Sequence, residues 1–393
     1  MLKEIYVAGG ARTPLGGFCS TFADVTAVDL GKTAVKGAIE RSGVKPEDVE
    51  ELLIGCILSG GLKPNAARQI AIGAGLPEGV PATTVNVLCG SGMKTITLAA
   101  QAIQAGDADI IIAGGIENMT RAPYMLEKAR MGYRLGNGEI HDSMLRDALL
   151  DAFDGQHMGL HADRTAAKCG FTREQQDDYA VESYKRAIKA DKDGTFAREI
   201  VPVEIAGRKG KVTVVDHDEE PARFNEEKLR ALSPAFGKEG TVTAGNASSV
   251  NDGAAAIVVA SREKAEALGL KCEARILGYA MHAREPQLFP LAPIGAMKKV
   301  LAKIGWSVED VDLFEINEAF SVVPMAAMRE LGIPHEKVNI HGGAVCLGHP
   351  IGASGTRILV TLINALKTNG GKNGIASLCV GGGMGIAMAI ELL

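Results

Sequence analysis

Three stretches of the chain put a reactive side chain within two residues of a glycine. CGSGMKT (Cys89–Thr95) follows the β-branched run VNVL and precedes a good helix start, GHPIGASG carries His349, and SLCVGGGMG ends a strand-like run on Cys379. A helix N-terminus presents unpaired N–H groups and about half a positive charge, so the reading predicts a thiolate-favouring site and a lowered pKa for Cys89. Gly90, Ser91 and Gly92 would keep that turn tight and the sulfur accessible. An imidazole titrates near neutrality and can take a thiol proton, which makes His349 the candidate base. A second thiol, Cys379, can shuttle protons near pH 7 if its pKa falls by roughly one to two units. In EINEAF, Asn317 can donate a hydrogen bond to a developing oxyanion, directly or through water. A packed core thiol is the alternative for Cys89 and the favoured reading for Cys346, whose neighbours are apolar.

These residues need elements to bring them together, and the chain supplies them by repeating itself. AVKGAIERSGVKPEDVEELLIGCIL (34–58) and AMKKVLAKIGWSVEDVDLFEINEAF (296–320) share a 3.6-residue apolar period, a glycine cap, a charged turn and a strand-like run. Gly43 and Gly305 match at an offset of 262 residues, which places the equivalent of Cys89 at Ile351, inside the loop that carries His349. Each copy continues with a helix, CGSGMKTITLAAQAIQAG or GHPIGASGTRILVTLINAL, and then a strand ending in glycines. Two copies of one α/β unit predict two sheets enclosing the duplicated glycine-loop helices, with an active site where the related loops meet. The expected organisation is a first half of residues 1–118 with 245–268, an inserted loop domain of 119–244, and a second half of 269–393.

The inserted segment is richer in charge, Met and His. Its helical part (172–190) opens on a Thr-x-x-Gln capping box and reads as a solvated helix, followed by two short strands joined by GRKG. At 393 residues the chain exceeds the usual size of one hydrophobic core, and 46% hydrophobic residues with 4% aromatic and 48 glycines suit a close-packed α/β enzyme. A net charge of −5 argues against nucleic acid as a partner. Seven scattered cysteines without a C-x-x-C pair indicate neither a disulfide framework nor a zinc site. The sequence carries no apolar run of membrane length and no leader-like start, so a reducing, cytoplasmic setting without membrane attachment is expected.

CGSG at Cys89, NEAF at Asn317, GHP at His349 and CVGGGMG at Cys379, in that order, resemble the signature set of the thiolase family across essentially the whole chain. ARTPLGGF and TVTAGNASSVNDGAAA resemble the family as well. The resemblance implies the thiolase fold, a five-layer αβαβα sandwich with an inserted loop domain. It also implies a reversible Claisen exchange of two acetyl-CoA for acetoacetyl-CoA plus CoA, through an acetyl-cysteine intermediate. Cys89 would carry the acyl group, His349 would activate it, and Cys379 would remove the α-proton. His349 with a water on Asn317 would form one oxyanion hole, and the backbone N–H groups of Cys89 and Gly381 the other.

Residue by residue, the resemblance implies contacts to the CoA thioester from His157, Met158, Ala244, Ser248, Ala319 and Phe320, and a nucleotide contact from Arg223. Phe289 stands where short-chain relatives often carry methionine. Arg208, Lys209 and Lys211 form a basic cluster that could attract CoA phosphates, although such a cluster more often is simply a solvated face. Neither half-reaction requires a metal or redox cofactor, and the family suggests a homodimer or homotetramer, with the Met-containing segment 124–144 as a tetramer contact. A degradative 3-ketoacyl-CoA thiolase of broader chain length is the alternative, and a non-catalytic acyl-CoA-binding partner of the same fold the third reading.

Overall fold

The computed structural model describes residues 3–207 and 210–393. Arg208 and Lys209 of the basic cluster lie outside the described residues, and Lys211 is exposed beside a short hairpin of Val203–Ala206 with Val212–Val215. The first half orders its strands Ala82–Val85, Glu51–Gly55, Ile110–Asn118, Asn251–Ser261 and Ile5–Arg12. The second half repeats the last four as Leu313–Ile316, Asn373–Val380, Met384–Leu392 and Cys272–Ala283. The expectation of two separate sheets is corrected in one respect. Ile5–Arg12 pairs antiparallel with Cys272–Ala283, so the two halves join edge to edge in one ten-stranded ladder.

Five layers follow from what each element buries. Ala27–Ser42 and Ala66–Ala74 cover the outer face of the first half, and Ala292–Ile304 with Val322–Leu331 cover that of the second. Between the halves lie the duplicated helices Ser91–Ala105 and Ser354–Asn369, packed against strands of both. An element enclosed on both sides has no solvent face to keep polar. Ile110–Asn118 and Asn251–Ser261 are accordingly buried throughout, and the second central helix is buried from Ser354 to Leu366. Gly43 and Gly305, the matched caps, both end their helices in the left-handed region, at φ 77° and 73°.

The two central helices touch at their N-termini, and glycine permits it. A Cβ on Gly92 would stand 2.8 Å from the Thr356 backbone nitrogen, and one on Gly355 only 2.3 Å from that of Met93. Thr356 Oγ1 closes the contact by donating to the Gly92 carbonyl at 2.9 Å. Buried Glu117 ties the halves further, accepting the N–H groups of Ile57, Leu58 and Gly352, each at 3.1 Å.

The ARTP segment gains a physical role. Arg12 is fully buried, donates to Glu199 at 2.6 Å and grips both Asp218 oxygens at 2.7 and 2.8 Å, with its guanidinium over Phe196. A bidentate, multiply paired arginine of this kind is how a buried charge is tolerated. It anchors the inserted segment to the first strand. The helix Arg173–Lys192 opens on the expected capping box at Thr172, but it is not a solvated helix: Tyr179, Ser183 and Ala187 are buried on one face.

Candidate active site

The turn that carries Cys89 is held open by strain and by a serine. Leu88 sits at φ 45°, a left-handed conformation costly for a branched residue. Ser91 Oγ accepts the Val87 N–H at 2.8 Å and donates to the Leu88 carbonyl at 2.7 Å, while Asn86 Oδ1 caps the Leu88 N–H at 3.0 Å. The helix begins only at Ser91, with Gly90 as its cap. Cys89 is half-buried two residues before the helix, and burial pushes its thiol up to about 11, against the pull of the Gly381 and Cys89 backbone N–H groups. The expected lowered pKa is therefore corrected. Desolvation of the thiolate outweighs the helix end in this state.

His349 follows the same logic. Burial, and then the nearby Arg357 cation, hold its imidazole down at about 3, so thiol and imidazole are both neutral at rest. Its tautomer is set by Ser354. Ser354 Oγ lies 2.6 Å from His349 Nδ1 and 3.0 Å from the Pro350 carbonyl, which can only accept. Both contacts hold together when the hydroxyl donates to the carbonyl and accepts Nδ1–H. Nε2 is then left with its lone pair, 3.5 Å from Asn317 Nδ2. Asn251 Oδ1 fixes the loop by accepting the His349 backbone N–H at 3.0 Å.

Cys379 is the penultimate residue of the strand Asn373–Val380 and fully enclosed. Burial first, and then the nearness of Cys89, whose ionisation would oppose its own, push its thiol well above the usual range, so the fall on which proton shuttling near pH 7 was made conditional is absent in this state. The two sulfurs resist being ionised together. Asn317 directly follows the strand Leu313–Ile316 and extends its ladder by donating to the Ser377 carbonyl. The next residue, Glu318, is clamped by Tyr179, Ser183 and Asn339, each at 2.8 Å, so the inserted helix reaches the NEAF loop.

A cavity of about 250 Å³ opens where first half, second half and inserted segment meet. Of the expected residues, Cys89, His349, Gly381, His157, Met158, Ser248, Phe289, Ala319 and Phe320 line it. Asn317 stands behind His349 and Cys379 beside Cys89. Two expectations fall outside. Ala244 is exposed and not on the lining, and Arg223 is turned to Glu219, Glu220 and Ser20, where its charge is already met. Ile351, which the repeat matched to Cys89, also lies on the cavity wall.

Several neighbours were missed. Phe236 stacks on the His157 ring at 4.6 Å, in space that a Cβ on Gly159 would fill. His157 caps the helix Met158–Cys169 by accepting the Gly159 N–H on Nδ1 at 3.0 Å. Ser248 donates to the Ala319 carbonyl through both its N–H and its hydroxyl, at 3.0 Å each. A lone Phe in a turn-rich stretch gave no periodic signal, whereas the serine of GASG could have been singled out by its five-residue distance from His349.

A thiolase N-terminal domain model matches residues 5–263 and a thiolase C-terminal domain model residues 270–392. The chain belongs to the thiolase family. This thiolase is 49% identical over 389 residues to an acetyl-CoA acetyltransferase of Chromobacterium violaceum, covering 99% of both chains. It is also 49% identical to that of Escherichia coli, covering 100% of both. Among solved structures, the acetyl-CoA acetyltransferase of Bacillus anthracis superposes with a TM-score of 0.97 at 43% identity, covering 100% of this chain and 99% of that one. The Acat5 thiolase of Ascaris suum, solved in complex with coenzyme A, gives 0.95 at 44% identity, with 100% of both chains covered. The thiolase fold expected from the motifs is the fold observed.

Proposed function

We propose that this thiolase is an acetyl-CoA C-acetyltransferase that interconverts two acetyl-CoA with acetoacetyl-CoA and CoA. The observation that carries the reading is the convergence of Cys89, His349 and the Gly381 loop on one small apolar cavity with Cys379 and Asn317 just behind. Full-length likeness to relatives named acetyl-CoA acetyltransferase supports it.

In this reading His349 Nε2 takes the Cys89 proton as sulfur attacks the thioester carbonyl. The new S–C bond forms, the bond to the CoA sulfur breaks, and CoA leaves with the proton from His349. Acetylation leaves Cys89 with no ionisable proton, so Cys379 no longer competes with a neighbouring thiol when it ionises. In the second half-reaction Cys379 passes its own proton to His349 and, as the thiolate, takes an α-proton from a second acetyl-CoA. The carbanion forms the C–C bond to the acetyl carbon, the S–C bond to Cys89 breaks, and the proton held on His349 goes to the Cys89 sulfur, leaving both thiols protonated. Charge on the acyl-cysteine carbonyl is met by the Cys89 and Gly381 N–H groups. Charge on the thioester carbonyl is met by Asn317 Nδ2–H, through water, and by His349 Nε2 when protonated. The CoA thioesters are substrates, and no metal or redox cofactor enters either half-reaction.

His157, Met158, Phe236, Ser248, Ala319 and Phe320 flank the pantetheine and acyl group in this reading, and buried Phe289 limits acyl length. We assign the inserted segment to CoA contact and oligomer contact, in a cytoplasmic homodimer or homotetramer. Exposed Tyr124, Met131, Leu135 and Ile140 support the oligomer contact. Among the described residues no helix is long and apolar enough to cross a membrane. The deciding experiment is thiolysis of a 3-ketoacyl-CoA series by purified protein with free CoA. Activity concentrated on the four-carbon member is expected. Equal or greater rates on longer members would move the chain to the degradative reading, and no activity would favour a binding partner.

A further inference from the structure

The first turn of the second central helix presents two side chains toward the reacting groups, three residues apart on one face. Ser354 fixes His349, and Arg357 reaches Asn317. Arg357 is fully buried. Its Nη1 donates to Glu315 Oε1 at 3.0 Å, its Nη2 donates to Asn317 Oδ1 at 3.3 Å, and its Nε has no partner in the protein. Glu315 and Asn317 are two positions apart, so both face the helix while the residue between them faces away.

A guanidinium is donor-only, so whichever amide atom of Asn317 faces it must be the oxygen. The Nδ2 group is thereby directed to the opposite side, where His349 Nε2 lies 3.5 Å away. Without that donor, the amide could rotate and aim its oxygen at the site, where an acceptor opposes a developing oxyanion. Stability alone does not account for the arrangement. A buried Arg–Glu pair is often replaceable by apolar groups at no cost, and an unpartnered buried N–H is a cost in itself.

Resting on the reading of Asn317 as an oxyanion-hole donor, we propose that Arg357, held by Glu315, is a positioning residue that fixes the amide orientation of Asn317 toward the reacting oxygen. The test is a double-mutant cycle with Arg357→Lys and Asn317→Ala, measuring kcat and KM for acetoacetyl-CoA thiolysis in variants matched for thermal midpoint and folded signal. Lysine keeps the charge but not the two-pronged grip. Arg357→Lys is expected to lower kcat by about ten- to a hundredfold, the usual effect of removing an outer-shell partner, with KM within about threefold. In the Asn317→Ala background the same change should cost less than about threefold. Equal losses in both backgrounds, or an unchanged kcat in the wild-type background, would overturn the proposal. Should Arg357→Lys fail to fold, Glu315→Gln serves in its place: a smaller loss is expected that again vanishes without Asn317, and a loss that persists would overturn it. If Asn317→Ala alone leaves the rates untouched, the oxyanion reading itself fails, a result distinct from the other outcomes.

Discussion

At the scale of single residues, the site works with groups that are neutral at rest. A thiol near 11 and an imidazole near 3 cannot form an ion pair at pH 7, so proton transfer must accompany attack. Cys89→Ser should abolish the acetyl mass increment on incubation with acetyl-CoA. Cys379→Ser should keep that increment yet lose condensation by about a thousandfold or more, as removal of an essential acid–base group does. Equal loss of both steps in Cys379→Ser would contradict a second-step base. His349 also carries a stability consequence. Its folded pKa, about 3, lies below its ordinary value of 6.5, so the unfolded chain binds the extra proton and stability is lost as pH falls from about 6.5 toward 3. At pH 4.5 the loss is about 2–3 kcal/mol. His349→Asn should therefore be inactive but less acid-labile, seen as a smaller drop in urea midpoint between pH 7.5 and 4.5 than in wild type.

At the scale of elements, two helices crossing at paired glycines set the distance between the cysteine loop and the histidine loop. Gly92→Ala would push a methyl group to 2.8 Å from a backbone nitrogen and 2.9 Å from the Gly352 carbonyl oxygen, atoms that move only with their helix or loop. We expect a destabilisation of about 1–3 kcal/mol, from overpacking of a rigid contact, and a larger proportional loss of kcat than of folded protein. Chemical denaturation alongside kinetics checks this, and an unperturbed kcat would show that the crossing does not govern the site. The crossing was half legible beforehand. The repeat predicted that the helices pair, and their glycines suggested close contact, but which backbone atoms meet depends on the angle at which the sheets present them.

At the scale of the molecule, the inserted segment makes attachments of unequal strength. One part is riveted in by Arg12, Glu199 and Asp218 and by the Tyr179–Glu318 contact. The part around 124–144 leaves Tyr124, Leu126, Met131, Leu135 and Ile140 exposed. Apolar side chains so concentrated fit contact with further subunits. Deleting residues 124–144 should halve the solution mass of a tetramer while leaving thermal stability of the remaining dimer near that of the parent. Light scattering after size exclusion measures it, and an unchanged mass would remove the segment from assembly.

The amino-acid sequence determined the duplication, the family, the order of layers and the four chemical motifs. Each of these rests on local features: periodicity, caps such as Gly43 and Gly305, and short runs around Cys89, Asn317, His349 and Cys379. Only the tertiary structure decided the protonation states, because desolvation depends on everything packed around Cys89, Cys379 and His349, and it outweighs a helix end that sequence alone makes prominent. Only the fold, likewise, turned Ala244 and Arg223 away from the cavity, brought Phe236 to its wall and set Ser354 and Arg357 behind His349 and Asn317. These are contacts between residues far apart in the chain or displaced by a turn, and no local pattern encodes the distance between one layer and the next.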